Sequence, residues 1–165
     1  MAFDAYLKVE SIDGECTDSA HEGWIEVLSY SSGVDQPASA SASSSGNLSS
    51  QRANFHPFTI VKALDKASPK LALGAASGET FPSAILQLCR ASGDKQAYME
   101  YKLTDVIVSS FRAGGNGSSD NTVPTEEVAF NYGKIEWKYT STKVAGGKAA
   151  GNVAAGWDLK TSKKV

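Results

Sequence analysis

Cysteine and histidine are both scarce. Cys16 and Cys89 are too few for a disulfide framework, and His21 and His56 are the only imidazoles available to any site. No charge sign dominates: Lys plus Arg is 16, Asp plus Glu is 18, and the net charge is -2. So balanced a chain offers no electrostatic case for nucleic acid or for an anionic membrane surface. No apolar run approaches the ~18 residues that a spanning helix needs, so no membrane insertion is expected. No cleaved leader is expected. Met1-Ala2-Phe3-Asp4-Ala5-Tyr6-Leu7-Lys8-Val9-Glu10 alternates from its start, where a secretory signal would need a basic start and an apolar stretch. The expected location is cytoplasmic, with any export proceeding without a signal peptide.

What is present reads as β structure. With 165 residues and 41% apolar content, a single domain over 1–165 is expected, large enough to need no staple. Phe3, Ala5, Leu7 and Val9 share one parity, opposite Asp4, Tyr6, Lys8 and Glu10, which is the pattern of a half-buried strand. Strands are also expected over 24–31, 54–61, 81–90, 97–111 and 127–139, with a short one around 156–159. Pro57 places its segment at an edge or a bulge. Within 97–111, Leu103 and Ile107 lie on one parity and Val106 and Val108 on the other, which predicts cover on both faces. Val128, Phe130 and Tyr132 are out of phase with Ile135, Trp137 and Tyr139, which predicts a β-bulge at Gly133–Lys134. One helix is signalled, with Ser68 as N-cap, Pro69 in the first turn and Gly78 as the stop. The fold class is all-β, with about seven antiparallel strands and one helix in a barrel or a two-sheet sandwich.

Motifs that carry chemistry are missing. No Gly-x-Ser-x-Gly elbow accompanies either histidine, which read as a turn residue (His21) and a strand-edge residue (His56). Cys16 to His21 is the only close Cys/His pair, and no second pair completes a metal site. Cys89 reads as a core residue and Cys16 as a turn or surface one. No glycine precedes Gly147-Lys148 at phosphate-loop spacing, and Glu126-Glu127 has no partner carboxylate for acid–base work. Asn47-Leu48-Ser49 and Asn116-Gly117-Ser118 have acceptor spacing for glycans and are expected to be unread without a leader. Lys163-Lys164 reads as part of a solvated tail over 160–165. No enzyme, cofactor or metal is expected.

Three stretches interrupt the strands. Residues 38–50 are nearly all small and polar, and 113–121 and 145–151 are rich in glycine. A loop as long as 38–50 is uncommon in a compact domain unless it is functional or disordered. A strand scaffold with such loops points to binding or assembly.

Four segments, in order, carry a resemblance. They are Trp24-Ile25-Glu26-Val27-Leu28-Ser29-Tyr30-Ser31; Pro57 to Lys62 running into Leu64 to Leu71; Tyr101 to Ser109; and Pro124 to Tyr132 running into Ile135-Glu136-Trp137-Lys138-Tyr139. Together they resemble the haemolysin co-regulated proteins (Hcp) of bacterial type VI secretion systems, from Met1 to about Asp158. The resemblance implies an antiparallel β-barrel of two sheets with one flanking helix, similar to phage tail-tube proteins. It implies a homohexameric ring, stacked rings that form a secreted inner tube, effector proteins in the lumen, a VgrG-type spike and a contractile sheath. It implies no cofactor and no catalytic residue. The segment 38–50 is serine-rich where the family is commonly richer in glycine with basic residues near the end, of which Arg52 is retained. No appended toxin domain is expected.

On this reading Ser39, Ser41, Ser43, Ser44, Ser45, Gly46, Asn47, Leu48 and Ser49 form a ring-stacking loop, mobile in the free ring and ordered on docking. Small side chains suit it, because they allow close backbone approach and lose little rotamer entropy. Ser31 matches a position near the channel wall and is the expected effector contact. Ring closure needs a heterologous contact, expected from sheet edges and outer faces near 24–34 and 97–111. The alternatives are a soluble ring-shaped effector chaperone or receptor, and a phage-type tail-tube protein.

Overall fold

A computed structural model of the protein describes residues 2–39, 49–91, 93, 95–118, 123–142 and 149–165. Its strands are β1 (Phe3–Val9), β2 (Ile25–Val27), β3 (Ser29–Ser31), β4 (Val34–Asp35), β5 (Ala38–Ser39), β6 (Ser49–Ser50), β7 (Asn54–Phe55) and β8 (Phe58–Ala63). Helix α1 (Ser68–Ser77) follows, then β9 (Thr80–Arg90), β10 (Ala97–Gly114), β11 (Thr125–Thr142), β12 (Ala149–Asp158) and β13 (Lys163–Lys164).

The antiparallel ladders close on themselves. β1 pairs with β2, which runs through Leu28 into β3; β3 pairs with β8, and β8 with the first third of β11. β11 pairs with β10, β10 with β9, and β9 returns to β1. Closure removes the exposed edges of these strands. The rest of β11 projects past β8 and pairs with β12, which carries β13. Pro57 sits in the break between β7 and β8, as an N–H-less residue must.

Alternation sets the core. β8 turns Phe58, Ile60 and Lys62 inward, and β1 turns in Ala5, Leu7 and Val9. Tyr6 departs from the expected pattern: its face of β1 is also covered, because residues 10–24 run back over β1 and β9 as a strap. Tyr6, Cys16 and Cys89 form a second buried cluster beneath it, so Cys16 is a buried residue and not a surface one.

The phase change in β11 is real, but it is not the expected bulge. Tyr132 and Ile135 are both buried, yet the ladder with β10 runs without a shift from Val106↔Tyr132 to Thr104↔Lys134; its only shift lies between Val108 and Ser110. β10 changes phase at the same level, from Leu103 to Val106 and Val108, with Ile107 39% exposed. One face is therefore buried at a time, not both. The two strands turn over together, where Asp105 takes a left-handed φ of 52° opposite Gly133. Gly133 is also where β11 changes neighbours, and its carbonyl accepts the Leu159 N–H (2.9 Å).

Helix α1 begins one residue earlier than a Ser68 cap would give. Ala67 precedes it, Ser68 lies in the first turn, and Gly78 ends it at φ 69° with its N–H on the Gly74 carbonyl. A Cβ at Gly74 would stand 3.1 Å from the Phe81 ring, so glycine lets the helix seat against the barrel. Among the described residues no helix is long and apolar enough to cross a membrane.

Candidate functional site

Three features stand out once the barrel is in place: a projecting arm, an exposed small-residue face, and two buried polar networks.

The arm continues β3. β4 pairs with β7 through Val34↔Phe55 and Asp35↔Asn54, and β5 pairs with β6 through Ala38↔Ser50 and Ser39↔Ser49. Its root is fixed. His56 Nε2 lies 2.6 Å from Asp35 Oδ2, the His56 N–H donates to the Gly33 carbonyl (2.9 Å), and the Tyr132 hydroxyl donates to the His56 carbonyl (3.0 Å). Phe55 meets Tyr132 edge-on and stacks over Trp137. His56 therefore serves the arm's root. Of the expected stacking residues, Ser39 and Ser49 are backbone register partners in the β5–β6 pair, whereas Ser41, Ser43, Ser44, Ser45, Gly46, Asn47 and Leu48 lie outside the described residues.

Ser31 is exposed on β3, in line with Thr59 and Ala129 across the sheet. The next row holds Ser29, Val61 and Glu127, and Glu127 stands opposite Arg112 on β10. The face is made of small side chains, and its charges oppose one another. Ser31 also borders a cleft of about 470 Å³ floored by Tyr30, Met99, Tyr101 and Trp137. Burial pushes the Tyr101 hydroxyl well above the usual phenol range, and a hydrogen bond with Tyr30 adds to it.

The first network holds the strap. His21 Nδ1 lies 2.8 Å from Asp18 Oδ2, and Nε2 lies 2.8 Å from Gln87 Oε1, whose amide donates to Glu100. The ring stacks on Tyr6 (4.3 Å) and meets Trp24 edge-on. Cys89 Sγ lies 3.8 Å from Nε2. Cysteine, histidine and aspartate thus come together, a juxtaposition the linear spacing does not show. They do not make a working nucleophile. Gln87 occupies the ring nitrogen that would take the proton, Cys89 is fully buried, and desolvation pushes its thiol up to about 11. Cys16 is likewise buried with a raised thiol pKa, for the same reason. Neither thiol is expected to react with a maleimide in the native protein. Thiol titration before and after denaturant checks this: labelling only after unfolding is the expected result.

The His21 hydrogen bond, helped by Lys95, holds the Asp18 carboxyl below its ordinary value. A depressed carboxylate stabilises the folded strap above its unfolded pKa, and that contribution goes as pH falls through the folded value. The strap should therefore loosen below about pH 4, near the free carboxylate value. Amide protection factors over 14–24, corrected for the intrinsic exchange rate at each pH, should fall on acidification ahead of those in β9.

The second network joins β8, β11 and α1. Lys62 Nζ contacts Glu126 Oε2 (2.8 Å), Asp65 Oδ1 (2.9 Å) and Ser68 Oγ (3.1 Å). The Ser68 hydroxyl donates to Glu126 (2.7 Å) and accepts the Asp65 N–H (3.1 Å). Lys62 and Glu126 are 0% and 3% exposed. A lysine held by two carboxylates cannot serve as a base for the serine, so this cluster is an anchor for the helix. No group of His, Cys, Asp and Glu among the described residues is placed to hold a metal.

Comparison with known proteins decides the family. The sequence profile described as "Type VI secretion system effector, Hcp" matches residues 6–139. The chain belongs to this Hcp family. It is 33% identical over 161 residues to the Pseudomonas aeruginosa protein named "Protein hcp1", which covers 97% of each chain. It is 28% identical over 139 residues to the "Major exported protein" of the same organism, which covers 81% of this chain and 78% of that one. A solved structure titled "Structure of a type six secretion system protein" superimposes with a TM-score of 0.91 at 38% identity, covering 99% of this chain and all of the other. Of these relatives, one is titled a type six secretion system protein and another is named as exported. The barrel and, among the described residues, the one short helix are those that the resemblance implied.

Proposed function

We propose that this Hcp chain is a structural subunit of the type VI inner tube. Copies close into a hexameric ring, rings stack end to end, and effector proteins travel in the bore. Membership of the Hcp family carries the reading. The barrel supports it: the described residues assemble no reactive set, and the arm is fixed at its root while it projects from the barrel. A VgrG-type spike and a contractile sheath complete the apparatus, and the protein leaves the cell through it. Residues 39–49 make the contact between successive rings. Sedimentation at increasing concentration tests the first step: a hexamer is expected, and monomer or dimer at every concentration contradicts it.

Ser31 belongs to the wall that effectors touch. Its row, Ser31, Thr59 and Ala129, gives a passing protein neither a bulky side chain nor a charge to hold. Replacing Ser31 with glutamine should lower the amount of effector that co-purifies with rings and leave ring formation unchanged. Normal effector recovery would remove Ser31 from the wall.

A further inference from the structure

The strap and the β12 end of the molecule carry opposite charges that are only partly paired within their own chain. At one end, beneath β12, lies an open groove of about 1310 Å³. Phe55, Trp137 and Trp157 form its floor; Arg52, Lys160 and Lys164 stand around it, with Val165 at its border; among the described residues no Asp or Glu side chain lines it. Lys160 is paired with Asp105, which leaves Arg52 and Lys164 as the available cations. At the other end is the strap. Residues 10–26 hold Glu10, Asp13, Glu15, Asp18, Glu22 and Glu26, with no Lys or Arg. Asp18 is engaged by His21 and Lys95, and Glu10 by Ser83. Asp13, Glu15 and Glu22 are exposed.

Between the two, charges cancel in place. Glu100 stands opposite Lys138, Lys102 opposite Glu136, and Lys134 opposite Asp158. The strap covers β1 and β9, the groove lies under β12, and β10 and β11 separate them. With strands ~4.8 Å apart, the strap cannot reach its own groove.

We infer that the basic aromatic groove under β12 receives the acidic strap of a second copy of this chain. The surfaces differ, so the contact is heterologous: it propagates from copy to copy and cannot end in a two-fold dimer. It identifies a contact within the assembly proposed above, and rests on that reading. Facing charges also set which surfaces meet, since like charges brought together oppose a wrong pairing.

A charge swap tests it. The variants are Arg52→Glu with Lys164→Glu, Glu15→Lys with Glu22→Lys, and the two pairs combined. Each pair of substitutions should weaken association between copies by about tenfold or more at ~0.15 M salt, read by mass photometry, and the combination should restore it. Thermal melting confirms that each variant is folded; all four positions are exposed or line an open groove. If both pairs assemble like the parent, the strap-in-groove contact is wrong while the tube reading stands. If each pair abolishes association and the combination fails to recover, the strap is not the occupant. A parent protein that stays monomeric at every concentration overturns the tube reading, and this contact with it.

Discussion

Replacing Lys62 with methionine should lower the unfolding midpoint by roughly 6–20 °C. Removing one member of a buried ion pair costs about 3–5 kcal/mol, and a domain of this size loses ~2–4 °C per kcal/mol. The cost arises because Glu126 and Asp65 both point at the vacated ammonium, and Glu126 is too deep in the protein to be rehydrated. Adding Glu126→Leu to the same variant should recover much of the loss, since a buried pair replaced by apolar groups of similar volume is often nearly neutral. Calorimetry on the single and double variants checks both. A single variant that melts like the parent would mean that Lys62 anchors nothing.

Deleting residues 39–49 should leave rings intact and abolish tubes. Ala38 and Ser50 are register partners across the arm, so a short turn can close the deletion without strain on the barrel. The root, with its His56, Asp35 and Tyr132 contacts, remains whole. Ordering a segment of small polar residues such as 39–49 from a free chain costs ~1–2 kcal/mol per residue, so stacking through it should be the weaker and more easily lost step. Rings counted against tubes by negative-stain microscopy give the answer. Tubes of normal length from the deletion variant would discard the loop as the stacking element.

Much of this fold was legible because burial on one face writes alternation into a strand. β8 follows it throughout, including Lys62, whose inward position obeys the parity of Phe58 and Ile60, and β1 follows it through Ala5, Leu7 and Val9. Tyr6 was misread for a physical reason: alternation reports whether a residue points toward the sheet's own core, and a strap laid over the outer face buries the other parity as well. The slip between Tyr132 and Ile135 was visible, but a single strand cannot reveal that its neighbour turns over at the same level. That takes Asp105, whose left-handed backbone has no signature in the hydrophobic pattern.

The polar networks were least legible. Ser68 has the residue type and spacing of a cap, yet Glu126, far along the chain, takes its hydroxyl, and the helix starts on Ala67. In sequence His21 has only Cys16 as a close cysteine, and it is the pairing of β1 with β9 that brings Gln87 and Cys89 to it. The excess of acid over 10–26 was present in the composition throughout. Its meaning depends on the groove under β12, whose walls come from the arm, β11, β12 and the tail.

The most direct test of the account is end-on electron microscopy of the purified protein at high concentration. A closed annulus of identical subunits around an empty channel, with side views of stacked rings, is the predicted image. Isolated single copies at every concentration, or an annulus whose centre is filled by its own subunits, would contradict it.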